Sequence, residues 1–234
     1  MKDRIQLKAL AKINLGLDVL RRREDGYHEV KMIMQTIGLH DDLEIRRTKT
    51  PGIQVKTNLY YLPTNENNLV YKAAKLLMDE FQVQEGLLIR LRKFIPVAAG
   101  MAGGSSDAAA VLFGVNKMFR LGLTTEELME RGVKIGADVP YCILRGTALS
   151  EGIGEVLTSL SPVPQCQVLV AKPGINVSTK FVYENLHAND LRPEQHPDID
   201  GMIRAIKAQD LQGIADKLGN VLETVTVKEY PVIQ

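Results

Sequence analysis

Apolar and polar residues alternate along much of the first 60 positions, and this pattern predicts a run of β-strands. Residues 8–20 form the longest example, with Lys12, Asn14, Gly16 and Asp18 on the face opposite the apolar one. The dipeptide Asp25-Gly26 is a strong turn signal and predicts a hairpin into a second strand over residues 30–37. The same alternation predicts further strands at residues 42–46, 52–56, 87–93, 145–149, 154–158 and 166–172.

A helical spacing of apolar residues replaces the alternation in several later segments. Residues 69–81 are the clearest case, and Thr124 with Glu127 forms a capping-box pattern at the start of another helix. Further helices are predicted from the serines at 105–106 to about Phe119, from residue 178, and over residues 198–207 and 211–218. Two prolines in residues 161–165 mark a linker, so we predict two domains, residues 1–160 and 161–234.

The composition excludes several classes of protein. Of the 234 residues, 45% are hydrophobic and 24% are charged, which is ordinary for a globular domain and unlike a disordered or fibrous chain. A formal charge of +1 indicates neither nucleic acid nor an anionic membrane as a partner. The N-terminus carries charges where a signal peptide needs an apolar region, and no apolar run is long enough to span a bilayer. We therefore expect a cytoplasmic protein, whose oligomeric state the pattern leaves open.

A glycine-rich stretch at residues 96–110 is the strongest candidate for chemistry. Gly100, Gly103 and Gly104 precede two serines and a run of alanines, and a predicted strand comes before them. Such a loop can turn successive N–H groups toward one anion at the positive end of a helix, so it favours phosphate binding. The loop is neither a Walker A motif nor G-x-G-x-x-G. The alternative is a tight connection whose small residues only let the helix pack closely on the sheet.

Other candidates are individually weak. Lys12 and Asn14 share one strand face, and polar residues on such a face are usually just exposed to solvent. Asp138 lies in a loop, where carboxylates are usually solvated. Tyr27 and His28 follow the predicted turn, where they can stack on a base and hydrogen-bond its edge or simply begin a strand. Cys142 has no histidine partner at a readable spacing and is interpreted as core packing.

Taken together, four stretches resemble the GHMP kinases (galactose, homoserine, mevalonate and phosphomevalonate kinases). These stretches are residues 11–15 with 25–29, 96–110, 135–140 and 172–179. In this order they resemble more narrowly the branch of the family that acts on 4-diphosphocytidyl-2-C-methyl-D-erythritol. The resemblance implies an α+β fold in two domains: a ribosomal S5 domain 2-like N-terminal domain and a C-terminal α/β sandwich. It also implies transfer of the ATP γ-phosphoryl group to the 2-hydroxyl of that compound, a step of non-mevalonate isoprenoid synthesis.

The resemblance also implies roles for individual residues. Asp138 would take the proton of the attacking hydroxyl, and Lys12 would keep Asp138 ionised and stabilise charge on the reacting groups. Asn68 would reach the adenine, and Ser105 or Ser106 would lie near Mg²⁺. The loop that would hold the ATP phosphates comprises Pro96, Val97, Ala98, Ala99, Gly100, Met101, Ala102, Gly103, Gly104, Ser105 and Ser106.

On the acceptor side, the resemblance implies that Tyr27 stacks on cytosine and His28 hydrogen-bonds its edge. Tyr183 would cover the opposite face of the base, and Asn14 and Thr179 would hold the rest of the acceptor. The implied partners are therefore ATP, Mg²⁺ and a small cytidine-diphosphate-linked polyol.

One departure from the family pattern keeps alternatives open. The family carries a further Gly-Ser-Gly-Pro type motif near its C-terminus, which is not found before Gln234. We therefore expect an incomplete C-terminal domain with an exposed sheet edge, weak stability and reduced or absent activity. The alternatives are another GHMP kinase of the mevalonate or homoserine type, which Tyr27 and His28 argue against, and a nucleotide-binding protein without catalytic activity.

Overall fold

The computed structural model describes residues 3–234, which form seven strands and eight α-helices. The strands are β1 (Arg4–Arg22), β2 (His28–Thr48), β3 (Ile53–Thr57), β4 (Gly86–Arg92), β5 (Thr147–Glu151), β6 (Val156–Ser159) and β7 (Gly219–Asn220). The helices are α1 (Leu69–Glu80), α2 (Gly103–Phe119), α3 (Thr125–Val133), α4 (Val139–Leu144), α5 (Thr179–Asn185), α6 (Ile199–Lys207), α7 (Leu211–Ala215) and α8 (Glu223–Glu229). Short 3₁₀ turns lie at Ala188–Asp190, Pro193–Gln195 and Pro231–Ile233.

The chain forms two compact units, and two of the three boundaries between them fall inside the long strands β1 and β2. The first unit comprises residues 1–12 and 36–145, and the second comprises residues 13–35 and 146–234. Both β1 and β2 therefore begin in one unit and end in the other. This grouping by compactness differs from the division at residue 160, which stays a prediction.

In the first unit, a mixed sheet carries four helices. The later part of β2 pairs antiparallel with β4, from Asp42 opposite Arg92 to Thr48 opposite Gly86, and β4 pairs parallel with β3. Helix α1 packs on α2, and α4 packs on both α2 and α3. The α+β class that we expected is confirmed.

A glycine on α2 allows the helix to lie close to this sheet. A Cβ atom built on Gly114 would lie 2.6 Å from Cδ1 of Ile45, far inside van der Waals contact. Helices α1 and α3 begin at capping residues. Asn68 accepts a hydrogen bond from the N–H of Val70 at the start of α1, and the capping box of Thr124 and Glu127 is formed at α3.

In the second unit, the early part of β2 pairs antiparallel with β5, and β5 pairs with β6. Strand β1 pairs parallel with the short β7 at Gly16 and Leu17. The apolar core of this unit joins the two long strands to α6 and α7 through Leu15, Ile33, Ile199, Met202, Ala205, Ile206 and Ile214. Within residues 3–234, every helix is too short or too polar to cross a membrane.

The strand predicted at residues 166–172 is wrong. This segment has neither helix nor strand structure, and Leu169 within it is 96% exposed. An alternating pattern forms a strand only where a neighbouring strand supplies hydrogen bonds, and among residues 3–234 no strand pairs with this segment.

Candidate active site

A cavity of about 400 Å³ in the first unit gathers most of the predicted nucleotide-binding residues. Its walls are the loop before α1, the end of β4, the glycine loop, and Asp138 just before α4. Every residue from Pro96 to Ser105 lines it, as does Asn68. The apolar part of the wall comes from Leu62, Pro63, Leu69, Leu91 and Val97. A cavity with an apolar end and a glycine-rich polar end suits a nucleotide, which has a flat base and charged phosphates.

The glycine loop has an unusual backbone. Three alternate residues, Ala98, Gly100 and Ala102, adopt positive φ angles of 54°, 70° and 53°. Left-handed geometry disfavours alanine, and residues held in it cluster at functional loops. Alternating left-handed residues also turn successive N–H groups toward one point, which is the arrangement of an anion-binding nest. This backbone fits the predicted role of the loop in phosphate binding, which stays a prediction.

Helix α2 begins earlier than the sequence predicts. Its first residue is Gly103 and its N-cap is Ala102, so the predicted start at Ser105 and Ser106 is wrong. The helix starts at the two glycines because Ala102 already has the left-handed turn that brings the chain into it. One consequence is that the two serines point in different directions. Ser105 lines the cavity, whereas the hydroxyl of Ser106 donates a 2.7 Å hydrogen bond to the carbonyl of Leu10 on β1.

Lys12 and Asp138 both lie close to Cys142. Lys12 is the last residue of β1 in this unit, and its backbone N–H donates a 3.1 Å hydrogen bond to the carbonyl of Met101 in the glycine loop. Burial raises the pKa of the Cys142 thiol to about 12; the Asp138 carboxylate raises it further, and the Lys12 ammonium opposes the shift. The thiol is therefore protonated at neutral pH and is not a nucleophile, which confirms the interpretation as core packing.

A buried group of charges beneath the loop is absent from the sequence predictions. The Lys93 ammonium contacts the carboxylates of Asp41 and Asp107, and all three side chains are almost fully buried. The second oxygen of Asp41 accepts hydrogen bonds from the N–H groups of Phe94 and Ile95, at 2.5 and 2.8 Å. This network ties β2, the end of β4 and α2 together around the glycine loop. Three separate segments supply it, so no local motif could have revealed it.

Asp107 is the unusual member of this group. Its Oδ1 atom is buried and has no hydrogen-bond partner among residues 3–234. Burial raises the pKa of Asp107 to about 8 against the opposing effect of Lys93, and the nearby Asp41 carboxylate raises it further. Two carboxylates share one ammonium here, so the group is neutral only when one carboxylate carries a proton.

Asn68 has a structural task besides lining the cavity. In addition to capping α1, its side-chain amide donates a 2.7 Å hydrogen bond to the carbonyl of Pro63. The two bonds fix the loop that forms the apolar wall of the cavity. The predicted contact of Asn68 with adenine stays a prediction.

In the second unit, the structure brings His28 and Tyr183 together. Their ring centroids are 5.1 Å apart with the planes inclined by 45°. Tyr27 is 61% exposed, and its N–H donates a hydrogen bond to Asp25 in the turn. Burial lowers the pKa of His28, and the neighbouring Arg22 guanidinium lowers it further. The imidazole is therefore neutral at neutral pH, with one nitrogen that donates and one that accepts.

Two other predicted acceptor residues belong to the same unit. Thr179 is the first residue of α5, which Ser178 caps by accepting a hydrogen bond from the N–H of Phe181. Asn14 lies on β1 in the part of the strand that belongs to this unit. Tyr183 is on α5 as well, one helical turn after Thr179, so that helix carries two of the predicted residues.

A metal site built by the protein alone is not found in the part of the chain that the structure describes. No three His, Cys, Asp or Glu side chains there are close enough to hold a metal ion. Mg²⁺ in kinases needs no such cluster, because it is held through one or two protein oxygens together with the phosphates and water. Ser105, which lines the cavity, has a hydroxyl that fits that kind of site.

Comparison with known proteins agrees with this geometry. The GHMP kinases N terminal domain matches residues 68–146, which include the glycine loop and Asp138. The 4-diphosphocytidyl-2-C-methyl-D-erythritol kinase of Lachnoclostridium phytofermentans is 60% identical over 232 residues, covering 99% of this chain and 79% of that protein. The protein of the same name from Geobacillus kaustophilus is 51% identical and is covered to 79% of its length.

The chain belongs to the 4-diphosphocytidyl-2-C-methyl-D-erythritol kinase family, within the GHMP kinases.

Solved structures support the same assignment. A crystal structure of 4-(cytidine 5′-diphospho)-2C-methyl-D-erythritol kinase matches with a TM-score of 0.77 and 30% identity, over 97% of this chain and 79% of the other. Homoserine kinase from Cytophaga hutchinsonii matches with a TM-score of 0.70 but only 18% identity, over 94% of this chain and 72% of that one, which shows a shared fold alone. The expected kinase family is confirmed, and the chain is an enzyme of the kinase class.

Proposed function

We propose that this chain transfers the γ-phosphoryl group of ATP to the 2-hydroxyl of 4-diphosphocytidyl-2-C-methyl-D-erythritol. The observation that carries the proposal is the 60% identity to a kinase of that name over 99% of the chain. The cavity of the first unit, which holds the glycine loop and Asp138 together, adds a physical reason. A mevalonate- or homoserine-type activity has less support, since the homoserine kinase match reaches only 18% identity.

ATP binds, in this proposal, with its phosphates against the glycine loop and its base against the apolar wall at Leu62, Pro63 and Leu69. The loop N–H groups and the positive end of the α2 dipole attract the phosphates. Since phosphoryl transfer has a loose transition state, most of the catalysis comes from positioning and charge stabilisation. The strained backbone at Ala98 and Ala102 holds those N–H groups in place before the nucleotide arrives.

Asp138 is the proposed base. It lies at the N-cap position of α4, where its side chain makes no capping bond, so its carboxylate is available to the cavity. It would accept the proton of the attacking hydroxyl and orient that hydroxyl toward the γ-phosphorus. Lys12 and Asp138 both shift the pKa of the Cys142 thiol, in opposite directions, so both lie near it. Lys12 would stabilise the negative charge of the base and of the transferring group.

Of the two serines, Ser105 is the one we assign to Mg²⁺. Ser105 lines the cavity, whereas the Ser106 hydroxyl is used in the bond to the carbonyl of Leu10. When bound, the ion would neutralise charge that develops on the phosphates. The side chain of Ser105 would supply one oxygen to it, and the phosphates and water the rest.

For the acceptor, we assign the cytidine to the second unit. The neutral His28 imidazole can pair with the edge of cytosine, and Tyr27 and Tyr183 can cover its faces. Thr179 and Asn14 are assigned to the remainder of the acceptor. A base-stacking site of this kind has no use in a kinase for mevalonate or homoserine, which have no aromatic base.

The test is ADP formation with ATP, Mg²⁺ and the diphosphocytidyl compound, compared with mevalonate and homoserine as acceptors. Turnover with the first compound alone is expected, and Asp138→Asn should lower kcat by at least about 100-fold, the usual contribution of a general base. Glu126→Gln removes an exposed carboxylate from the same unit and serves as the control. Turnover with mevalonate but not the diphosphocytidyl compound would reject the substrate. ATP binding without any turnover would favour a protein that only binds nucleotides.

A further inference from the structure

The turn between β1 and β2 sets three consecutive arginines, Arg21, Arg22 and Arg23, beside the predicted cytidine site. The N–H of Arg23 donates a 2.7 Å hydrogen bond to the carbonyl of Tyr27, which closes the turn. Continuing the antiparallel register outward from this pair sets Arg22 opposite His28 and Arg21 opposite Glu29. The 2.5 Å ion pair between Arg21 and Glu29 agrees with that register.

Side chains alternate between the two faces of a strand, and directly opposite residues share a face. Arg22 and His28 therefore share one face of the hairpin, and Arg21 and Glu29 share the other. Because His28 packs against Tyr183, the Arg22 guanidinium lies on the side of the hairpin that carries the aromatic pair. The lowered pKa of His28, to which the charge of Arg22 contributes, agrees with this closeness.

The charges of the three arginines are balanced differently. Arg21 pairs with Glu29, and Arg23 pairs with Asp25 at 3.1 Å. Arg22 forms no ion pair with any of residues 3–234, and it is exposed. An exposed guanidinium without a carboxylate partner, next to a site for an aromatic base, can bind an anion attached to that base.

We propose that Arg22 binds a phosphate of the acceptor and so selects a cytidine 5′-diphosphate ester over free cytidine. The proposal rests on the proposed function, which assigns the cytidine to His28, Tyr27 and Tyr183. A guanidinium can donate two parallel N–H bonds to one phosphate, so it fixes the direction in which the diphosphate leaves the base. Arg22 acts in this way as a specificity residue, separate from the base-binding aromatic residues.

The experiment is calorimetric titration of CDP and of cytidine into the wild type, Arg22→Gln and Arg21→Gln. The two variants change neighbouring residues of one strand and lower the net charge equally. They differ in the face of the hairpin that is changed and in the ion pair that Arg21 makes with Glu29. We expect Arg22→Gln to weaken CDP binding about 10-fold, in keeping with the loss of a charge-assisted hydrogen bond, and cytidine binding less than about twofold. Arg21→Gln should weaken CDP binding less than about threefold, since that guanidinium is already paired.

Each outcome has a separate meaning. If both variants weaken CDP binding equally, the proposal is overturned, because the result would show only a general effect of charge. If Arg22→Gln weakens the binding of CDP and of cytidine equally, the proposal is also overturned, because Arg22 would then support the base site. If the wild type binds neither compound, the proposed acceptor itself is rejected, and the role of Arg22 is rejected with it.

A second measurement tests the placement of Arg22 independently of any ligand. The pKa of His28, followed by NMR, should rise in Arg22→Gln because one of the two causes that lower it is removed. It should stay unchanged in Arg21→Gln, whose guanidinium lies on the other face. A His28 pKa that responds equally to both substitutions would contradict the register and therefore the proposal.

Discussion

The buried group of Asp41, Lys93 and Asp107 predicts an unusual dependence of stability on pH. The pKa of Asp107 is raised to about 8 in the folded protein, whereas an unfolded chain would ionise the same carboxyl near its ordinary value of 3.8. Between these two values the folded state binds more protons than the unfolded state, so the contribution of Asp107 to stability falls as pH rises. It is fully present below the unfolded pKa and is lost as pH rises through about 8.

The substitution Asp107→Asn isolates this contribution. Asparagine keeps the shape of the protonated carboxyl and an oxygen that can accept from Lys93, and it has no charge to gain. The variant should therefore become more stable relative to the wild type as pH rises. The whole pKa shift corresponds to a ceiling of about 6 kcal/mol. Relaxation around buried charges reduces such figures, so we expect about 2–3 kcal/mol between about pH 5 and pH 8.

Urea denaturation across that pH range measures the difference directly. Asp216→Asn, at an exposed aspartate, is the control and should track the wild type at every pH. A difference between Asp107→Asn and the wild type that stays constant with pH would refute the reasoning, because Asp107 would then be ionised in the folded state. Lys93→Met is a companion variant that leaves both carboxylates without their cation. It should destabilise the protein by about 3–5 kcal/mol at neutral pH.

Three further predictions concern the cavity wall, the loop and the base site. Asn68→Ala should lower the free energy of unfolding, measured by urea denaturation, by about 1 kcal/mol because the α1 cap is lost. An unchanged free energy of unfolding would show that the cap does not stabilise the protein. Ala102→Gly relieves a left-handed alanine and should raise stability by about 0.5–1 kcal/mol, after allowing for the greater freedom of glycine in the unfolded chain; a lower melting temperature would contradict this. Cytidine affinity should be constant from neutral pH down to about 6.5 and should weaken only below that pH. The reason is that the pKa of His28 is lowered, and only protonation of His28 removes the nitrogen that accepts a hydrogen bond. An affinity that begins to weaken above pH 7 would contradict the neutral imidazole.

Local patterns predicted those elements whose causes are themselves local. The hairpin between β1 and β2 follows from alternation on either side of Asp25-Gly26, and the starts of α1 and α3 follow from the capping residues Asn68 and Thr124. In each case the residues that decide the structure are neighbours in the sequence. The failure at residues 166–172 has the opposite character, because a strand depends on a partner that the alternating segment itself cannot specify.

The same distinction explains what was missed in the candidate site. Lys93 is separated by 52 positions from Asp41 and by 14 from Asp107, so their contact exists only once the sheet has formed. A lysine at the end of a basic strand looks like a solvated residue, and an aspartate after two serines looks like part of a helix start. Their burial could not be read from either pattern, since a buried charge is detectable only through the partners that compensate it.

The two adjacent serines show how a small error in an element boundary changes a functional assignment. Successive residues of an α-helix point about 100° apart, so only one of Ser105 and Ser106 can face the phosphates if both are inside the helix. Had the helix begun at the serines, as capping preference suggests, either hydroxyl could have turned to the loop. Because α2 begins at Gly103, both serines are helical, and the bond from Ser106 to Leu10 leaves Ser105 toward the cavity. Ser105→Ala should therefore raise the Mg²⁺ concentration needed for half-maximal kcat. Ser106→Ala should mainly lower the free energy of unfolding, by about 1 kcal/mol for a buried hydrogen bond.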